Sequence, residues 1–95
     1  MKKNYTKKEI WCFRNGIPIT TLVLDILKIP SNKSYGYSRF RCPLCGIFNL
    51  VALPDRNIAL CTDCETEFNP IDIVMKHKNV TFKPAIDFLD ALQIV

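Results

Sequence analysis

The chain has 95 residues, of which 48% are hydrophobic and 23% charged, and its formal net charge is +4. This length is typical of one domain, and so short a chain buries only about two-thirds of its unfolded surface, so we expect an additional stabilising element. No apolar run approaches the roughly 20 residues that span a bilayer, and no apolar segment follows the basic N-terminus as in a signal peptide. We therefore expect a cytoplasmic protein without a membrane partner, whose cysteines are reduced.

The charges are distributed unevenly along the chain. Residues 1–41 carry nine cations and two anions, or +7, whereas residues 42–95 carry four cations and seven anions, or −3. A basic half of this kind indicates a polyanionic partner, although charge alone does not identify it.

The N-terminal part divides into an extension and a helix. Residues 1–16 are predicted to be a loosely held basic extension, and residues 17–95 to form the domain. Pro18 suits the first turn of a helix, because its missing N–H has no partner there anyway, and Pro30 ends that helix. One apolar face is formed by Ile19, Leu22, Val23, Ile26 and Leu27.

The rest of the chain predicts a small sheet followed by two helices. Short runs rich in aromatic and β-branched residues extend from Ser34 to Leu60 and are interrupted by a turn at residues 54–57, which indicates antiparallel strands. Asn69 and Pro70 are a good N-cap and first residue for a helix that ends near Lys78. A last helix starts near Thr81, with an apolar stripe of Phe82, Ala85, Ile86, Phe88, Leu89 and Leu92. The expected fold class is α+β, with an antiparallel sheet, one N-terminal helix and two C-terminal helices.

Four cysteines form two C-x2-C pairs, Cys42 with Cys45 and Cys61 with Cys64, and 15 residues separate the pairs. Two intervening residues let both thiolates of a pair face one point, so two pairs can complete the tetrahedron that zinc prefers. Gly46 can adopt a left-handed conformation after the second cysteine at no cost. We therefore predict one structural Zn²⁺ ion, whose four protein ligands leave no open position for a substrate.

Other interpretations of the cysteines remain open at this point. Four buried thiols, two disulfides, or a rubredoxin-like iron site would also use these residues. Cys12 has no partner at ligand spacing and is expected to be a small buried hydrophobe or an unligated thiol. His77, the one histidine, also lies outside the ligand spacing and is expected to be a surface or packing residue, with nucleic-acid contact as the alternative.

A candidate nucleic-acid site precedes the first cysteine pair. Between Asp25 and Asp55 there is no carboxylate residue. The alternate positions of one extended run are occupied by Lys33, Tyr35, Tyr37, Arg39 and Arg41. Period-2 geometry would place them on one face of a strand. Cations interleaved with aromatic rings suit single-stranded nucleic acid, because cations neutralise phosphates while rings stack on bases. The alternative is that the tyrosines cover the sheet and the arginines are solvated.

The acidic residues do not predict catalysis. Asp63, Glu65, Glu67 and Asp72 lie mostly in one predicted loop after the second cysteine pair, whereas a two-metal site needs carboxylates that converge from rigid elements. Solvation, a helix N-terminus or a basic protein partner would each explain them. No nucleophile–base pair or nucleotide-binding loop appears elsewhere, so we do not expect an enzyme.

From about Ile17 to Leu92, the sequence resembles the N-terminal zinc-binding domain of bacterial and phage DNA primases, the CHC2-type zinc ribbon. Four segments carry the resemblance: the helix with Leu22 and Ile26, the basic segment Lys33–Tyr37, the first cysteine pair within Arg41–Cys45, and Val80–Ile86. The last segment is similar to the start of the family's last helix. The family usually has histidine in place of Cys45, and a glycine-rich stretch in place of Glu65–Pro70.

The resemblance implies a module that holds single-stranded DNA while a separate catalytic domain makes the primer. Without that catalytic domain, the chain is expected to be a nucleic-acid-binding accessory subunit in DNA replication. Its partners would be a separately encoded primase or polymerase and possibly a helicase, in a phage or mobile element. The alternative is a zinc-ribbon adaptor that binds a protein partner without contacting nucleic acid.

Overall fold

The computed structural model describes residues 5–34 and 37–92, and for Lys33, Ser34 and Tyr37 it describes the backbone alone. Helices and strands follow one another in the order α1 Lys7–Asn15, α2 Ile19–Thr21 continuing into a π-helical segment Leu22–Ile26, β1 Ser31–Ser34, β2 Tyr37–Phe40, β3 Leu50–Leu53, β4 Ile58–Cys61, β5 Thr66–Phe68, α3 Pro70–Lys78 and α4 Phe82–Leu92. The predicted α+β class with an antiparallel sheet is confirmed.

The strands form one antiparallel sheet in the order β1-β2-β3-β4-β5, so every neighbour in space is also a neighbour in sequence. β2 and β3 meet at a single pair, Phe40 with Leu50, both of which are buried. The predicted turn at residues 54–57 joins β3 to β4 and is closed by the Asn57 N–H, which donates to the Pro54 carbonyl at 3.1 Å. Such a meander needs only short connections.

The predicted apolar helix face is buried, but the helix itself is irregular. Ile19, Leu22 and Val23 are inaccessible to solvent. The Leu27 N–H donates to the Leu22 carbonyl at 2.8 Å, a five-residue spacing typical of a π-helix. Lys28 then takes a left-handed conformation with φ 50°, which ends the helix before Pro30, as predicted.

Residues 5–16 pack against the domain and are not the loosely held extension that the sequence predicts. Thr6 and Glu9 form a capping box at the start of α1, with both side-chain-to-backbone bonds present. Phe13 is buried, and its ring lies edge-on to Tyr5 at a centroid distance of 5.4 Å. The Tyr5 hydroxyl donates to the Asp87 carboxylate at 2.7 Å, which ties this segment to α4.

Asn57 joins the β3–β4 turn to the N-terminal helices. Its side-chain NH₂ group donates to the carbonyls of Arg14, at 2.8 Å, and Ile17, at 3.0 Å. Its side-chain oxygen accepts from the Ile19 N–H at 2.7 Å. Asn57 has a φ of 52°, a left-handed conformation that asparagine tolerates better than most residues. One side chain therefore fixes the connection between α1 and α2 against the sheet.

The two C-terminal helices agree with the predicted boundaries. Asn69 caps α3 by accepting from the Asp72 N–H at 2.8 Å, and left-handed Asn79 ends that helix. Along α4, Ala85, Ile86 and Leu89 are buried as predicted. The two ends of the predicted stripe, Phe82 and Leu92, are exposed. Within the described ranges, no helix has the length and apolar character to cross a membrane.

Candidate metal centre

The first cysteine pair lies in a tight turn after β2, and we call Cys42–Gly46 the first knuckle. The Gly46 N–H donates to the Cys42 carbonyl at 2.9 Å, and the Cys42 N–H donates to the Ile47 carbonyl at 2.9 Å. Gly46 has a φ of 78°, the left-handed conformation expected from the sequence. The Leu44 N–H lies 3.4 Å from the Cys42 sulfur and donates to it. Backbone donors of this kind stabilise a thiolate ligand.

The second pair occupies the turn between β4 and β5, and we call Cys61–Cys64 the second knuckle. Cys61 is the last residue of β4, where it pairs with Leu50 on one side and Thr66 on the other. Glu65 takes a left-handed conformation with φ 54° before β5 begins. The sheet itself therefore holds Cys61 at a defined position beside the first knuckle.

The fold brings the four predicted ligands together. The Cys42 and Cys64 sulfurs lie 3.8 Å apart, the Cys45 and Cys61 sulfurs 3.6 Å apart, and all four lie within 4.8 Å of one another. Zinc–sulfur bonds of about 2.3 Å in a tetrahedron place the sulfurs about 3.8 Å apart. The four cysteines could therefore hold one metal ion, and both the distances and the thiolate donor set fit tetrahedral coordination.

Burial and a neighbouring side chain shift the pKa values of the cysteine thiols. Cys42 and Cys61 are buried, which raises the pKa of Cys42 and raises that of Cys61 to about 12. The Thr66 side chain beside Cys64 lowers the pKa of that thiol to about 7. Because a metal binds thiolates, ligation by Cys42 and Cys61 must release protons, and acid therefore competes with the metal.

Asn49 links the second knuckle to β2 through side-chain hydrogen bonds. The Arg39 guanidinium donates to the Asn49 side-chain oxygen at 2.8 Å, and the Asn49 amide donates to the Asp63 carboxylate at 2.8 Å. The Asn49 carbonyl also accepts from the Thr62 N–H at 3.2 Å. Asn49 was not singled out from the sequence, since a lone asparagine before a strand is typical of any turn.

The predicted nucleic-acid face does not lie on a single strand. The chain reverses between Ser34 and Tyr37, which pair with each other at the ends of β1 and β2. Lys33 lies on β1 opposite Ser38, whereas Arg39 lies on β2. The prediction that these residues alternate along one strand is therefore wrong. Nucleic-acid contact by the individual residues stays a prediction.

Of those five residues, Arg39 and Arg41 have described side chains. Arg39 is half-buried and is held by Asn49. Arg41 is exposed, precedes the first knuckle directly, and its guanidinium lies close to Gly46. Tyr35, and the side chains of Lys33 and Tyr37, lie outside the described part of the chain. Two cations thus lie next to the knuckles, and a hydrogen bond to Asn49 holds one of them, Arg39.

Three of the four acidic residues, Asp63, Glu67 and Asp72, have separate structural partners, so their placement mostly in one loop was wrong. Asp63 accepts from Asn49, and Glu67 belongs to β5, where it forms an ion pair with Arg56 at 3.1 Å. Asp72 belongs to the capping box of α3, one of the roles expected from the sequence. Within the described part of the chain, these carboxylates do not form a metal-binding group.

Cys12 and His77 lie outside the cysteine cluster, as the ligand spacing predicts. Cys12 is exposed on α1, so the first of its two expected roles, a buried hydrophobe, is wrong, and the second stays a prediction. His77 is exposed near the end of α3, which confirms a surface position, and it faces the first knuckle across a groove.

Comparison of the sequence with protein-family models gave no match, and comparison with curated proteins gave no significant match.

Proposed function

We propose that this protein is a zinc-binding accessory protein that contacts single-stranded DNA and supports a separately encoded primase or polymerase. Zinc is the proposed metal because four thiolates at tetrahedral distances are its usual structural site. The ion would be structural, since four protein ligands complete its coordination. The protein would then be a binding subunit and not an enzyme.

The observation that carries the DNA-binding proposal is the position of Arg39 and Arg41 beside the cysteine cluster. The Asn49 hydrogen bonds hold Arg39 toward the second knuckle, and Arg41 continues directly into Cys42. No carboxylate residue lies between Asp25 and Asp55 to repel an anion. A metal ion at the cluster would therefore hold cations in a fixed arrangement, which lowers the entropic cost of binding phosphates.

The role in DNA priming rests on the sequence resemblance and on the order of the elements. A helix, a basic approach, two knuckles on hairpins and two final helices follow in the order that the resemblance implies. Copurification of the chain with a primase, polymerase or helicase encoded nearby would support this role. Purification without any such protein would contradict it, while leaving DNA binding to be tested separately.

DNA binding is tested with zinc-loaded protein and a fluorescently labelled single-stranded oligonucleotide. We expect affinity to fall steeply with salt, because each phosphate contact releases counterions. Arg39→Gln with Arg41→Gln should weaken binding on the order of tenfold or more and reduce the salt slope by roughly 2. The matched control is Lys7→Gln with Lys8→Gln, which removes the same charge from α1.

A further variant, Tyr35→Ala with Tyr37→Ala, tests base stacking, for which we expect a loss of about 1–3 kcal/mol per stacked base. Zinc content is measured for each variant to show that the metal centre is intact. Absence of oligonucleotide binding at low salt would refute the proposal. Equal losses in the arginine and lysine variants would refute the assigned position.

A protein-binding adaptor is the second candidate, and exposed apolar residues in and directly after the first knuckle favour it. The side chains of Leu44 and Ile47 are 53% and 48% exposed, although both are large and apolar. Such residues often lie at the centre of a protein interface. If Leu44→Ser abolishes capture of a replication protein and no oligonucleotide binds, the adaptor function is favoured over DNA binding.

A further inference from the structure

A groove of about 410 Å³ separates the first knuckle from the C-terminal end of α3. Arg41, Gly46 and the predicted metal ligands Cys42 and Cys45 line it on the side of the first knuckle, and Lys76 and His77 line it on the side of α3. Arg41 and Lys76 line the same groove although they lie 35 residues apart in the sequence. The volume lies within the range of small-ligand sites, which is about 300–1,000 Å³.

The groove holds two cationic side chains, the Arg41 guanidinium and the Lys76 ammonium. No aspartate or glutamate lines it, and neither Arg41 nor Lys76 has a carboxylate partner among the described residues. Asp72 lies one turn before Lys76 on α3 and keeps its negative charge while accepting from the Asn69 N–H, but it does not line the groove. An anion entering the groove would therefore meet the Arg41 and Lys76 cations, with the Cys42 and Cys45 sulfurs of the candidate metal centre beside Arg41.

Other cations of the C-terminal half are engaged elsewhere, which sets the groove apart. The Lys78 ammonium lies over the Phe88 ring at 4.6 Å from its centroid. The Lys83 ammonium is 2.9 Å from the Asp87 carboxylate. Lys78 belongs to the same last turn of α3 as Lys76 but does not line the groove. It therefore provides a control cation on the same helical turn that lies outside the groove.

Two structural explanations account for part of this charge. Cations in the last turn of α3 complement the helix dipole, but that does not explain Arg41 on the facing wall. Arg41 can offset the charge of the metal centre, since four thiolates around Zn²⁺ carry a formal charge of −2. That offset leaves Lys76 as the cation on the wall away from the cysteines, since burial and the Lys78 charge lower the pKa of His77. Neither explanation alone accounts for both walls.

We propose that this groove binds a phosphate group of a nucleic acid. The inference rests on the proposed DNA-binding function and adds Lys76 and His77 to the contacting residues. The Arg41 guanidinium can donate two parallel hydrogen bonds to phosphate oxygens, and Lys76 supplies a point charge from the opposite wall. The phosphate is either a phosphodiester of the strand or a terminal 5′-phosphate, since both present the same anionic oxygens.

The groove is tested directly by NMR of zinc-loaded protein titrated with inorganic phosphate and pyrophosphate. We expect saturable shifts of the Gly46 amide and the His77 ring. Lys76→Gln should weaken this binding on the order of tenfold, as loss of a hydrogen bond to a charged group does, whereas Lys78→Gln should leave it within about twofold. Lys76 is exposed and distant in sequence from the ligands, so zinc content and fold should be retained.

The source of the phosphate is tested with 5′-phosphorylated and 5′-hydroxyl oligonucleotides of one sequence. A preference for the phosphorylated strand that Lys76→Gln abolishes assigns a terminal phosphate. Equal binding of both strands, weakened by Lys76→Gln with a salt slope lower by about 1, assigns a backbone phosphate.

Absence of shifts with both anions, or equal effects of Lys76→Gln and Lys78→Gln, would overturn the inference. Oligonucleotide binding that is insensitive to Lys76 refutes the groove while the proposed function stands. Phosphate binding in the groove without oligonucleotide binding refutes the proposed function instead.

Discussion

Replacement of Asn57 tests how the N-terminal helices are held to the sheet. Asn57→Ala removes three hydrogen bonds, to the carbonyls of Arg14 and Ile17 and from the Ile19 N–H. Each is worth about 0.5–1.5 kcal/mol net, and the bond to Arg14 lies at the low end because it is exposed. Placing alanine at φ 52° adds about 1–2 kcal/mol. We expect a total loss of about 3–5 kcal/mol in the free energy of unfolding.

Two further substitutions at this position separate the contributions. Asn57→Gly loses the same hydrogen bonds but adopts the left-handed conformation freely, so it should be about 1 kcal/mol more stable than Asn57→Ala. Asn57→Asp keeps the acceptor for the Ile19 N–H but sets a carboxylate against two carbonyls. Urea denaturation of zinc-loaded protein measures all three. A loss below about 1 kcal/mol for Asn57→Ala, or a larger loss for glycine than for alanine, would refute this reasoning.

Three other outcomes follow from the structure. Removal of zinc by a chelator should abolish the circular dichroism of the fold, because a structural zinc ion contributes on the order of 10–16 kcal/mol; an unchanged spectrum would contradict this. Phe68→Ala should cost about 3–5 kcal/mol in a thermal or urea melt, since Phe68 is 1% exposed, whereas Phe82→Ala, at 45% exposure, should cost far less. The Tyr5→Phe variant should have a lower urea midpoint than the unsubstituted protein, and this loss should be largest near neutral pH. This loss should shrink below about pH 4, because the Tyr5 hydroxyl and Lys83 lower the pKa of Asp87. It should also shrink above about pH 10, because the bond to Asp87 raises the pKa of Tyr5 to about 12. A loss that does not vary with pH would show that this hydrogen bond does not stabilise the fold.

The features that depend on local periodicity or spacing could be predicted from the sequence. The apolar face that includes Leu22, the cap at Asn69 and the four cysteine ligands all follow from positions a few residues apart. Cysteine spacing is especially informative, because two residues between ligands already determine that both thiolates reach one ion. These predictions needed no knowledge of the tertiary structure.

The helix α1 was missed although part of its signal is present in the sequence. Thr6 and Glu9 have the spacing of a capping box, but the apolar residues Ile10–Phe13 are consecutive and do not repeat with a helical period. Its stability in the fold comes from Phe13 and Tyr5 packing across to α4, and such long-range contacts are not encoded in local periodicity. Helix propensity alone was therefore a poor guide here.

The reversal between β1 and β2 was missed for a different reason. Alternation with a period of 2 is the same in one long strand and in two strands joined by a short turn, so residues 33–41 were read as a single strand. Glu67 was placed in a loop for a similar reason. Its strand, β5, has only three residues and is held in place by its pairing with β4. The groove between Arg41 and Lys76 could not be predicted, since it depends on how α3 lies against the first knuckle.

The metal content of the purified chain tests the central claim most directly. We expect one zinc ion per chain in protein prepared without added metal, with four thiols becoming reactive only after chelation. Ser substitution at Cys61, which is buried, should abolish zinc retention. Bound iron, or a folded chain with no metal and four reactive thiols, would contradict the zinc centre and remove the structural basis for the proposed DNA-binding surface.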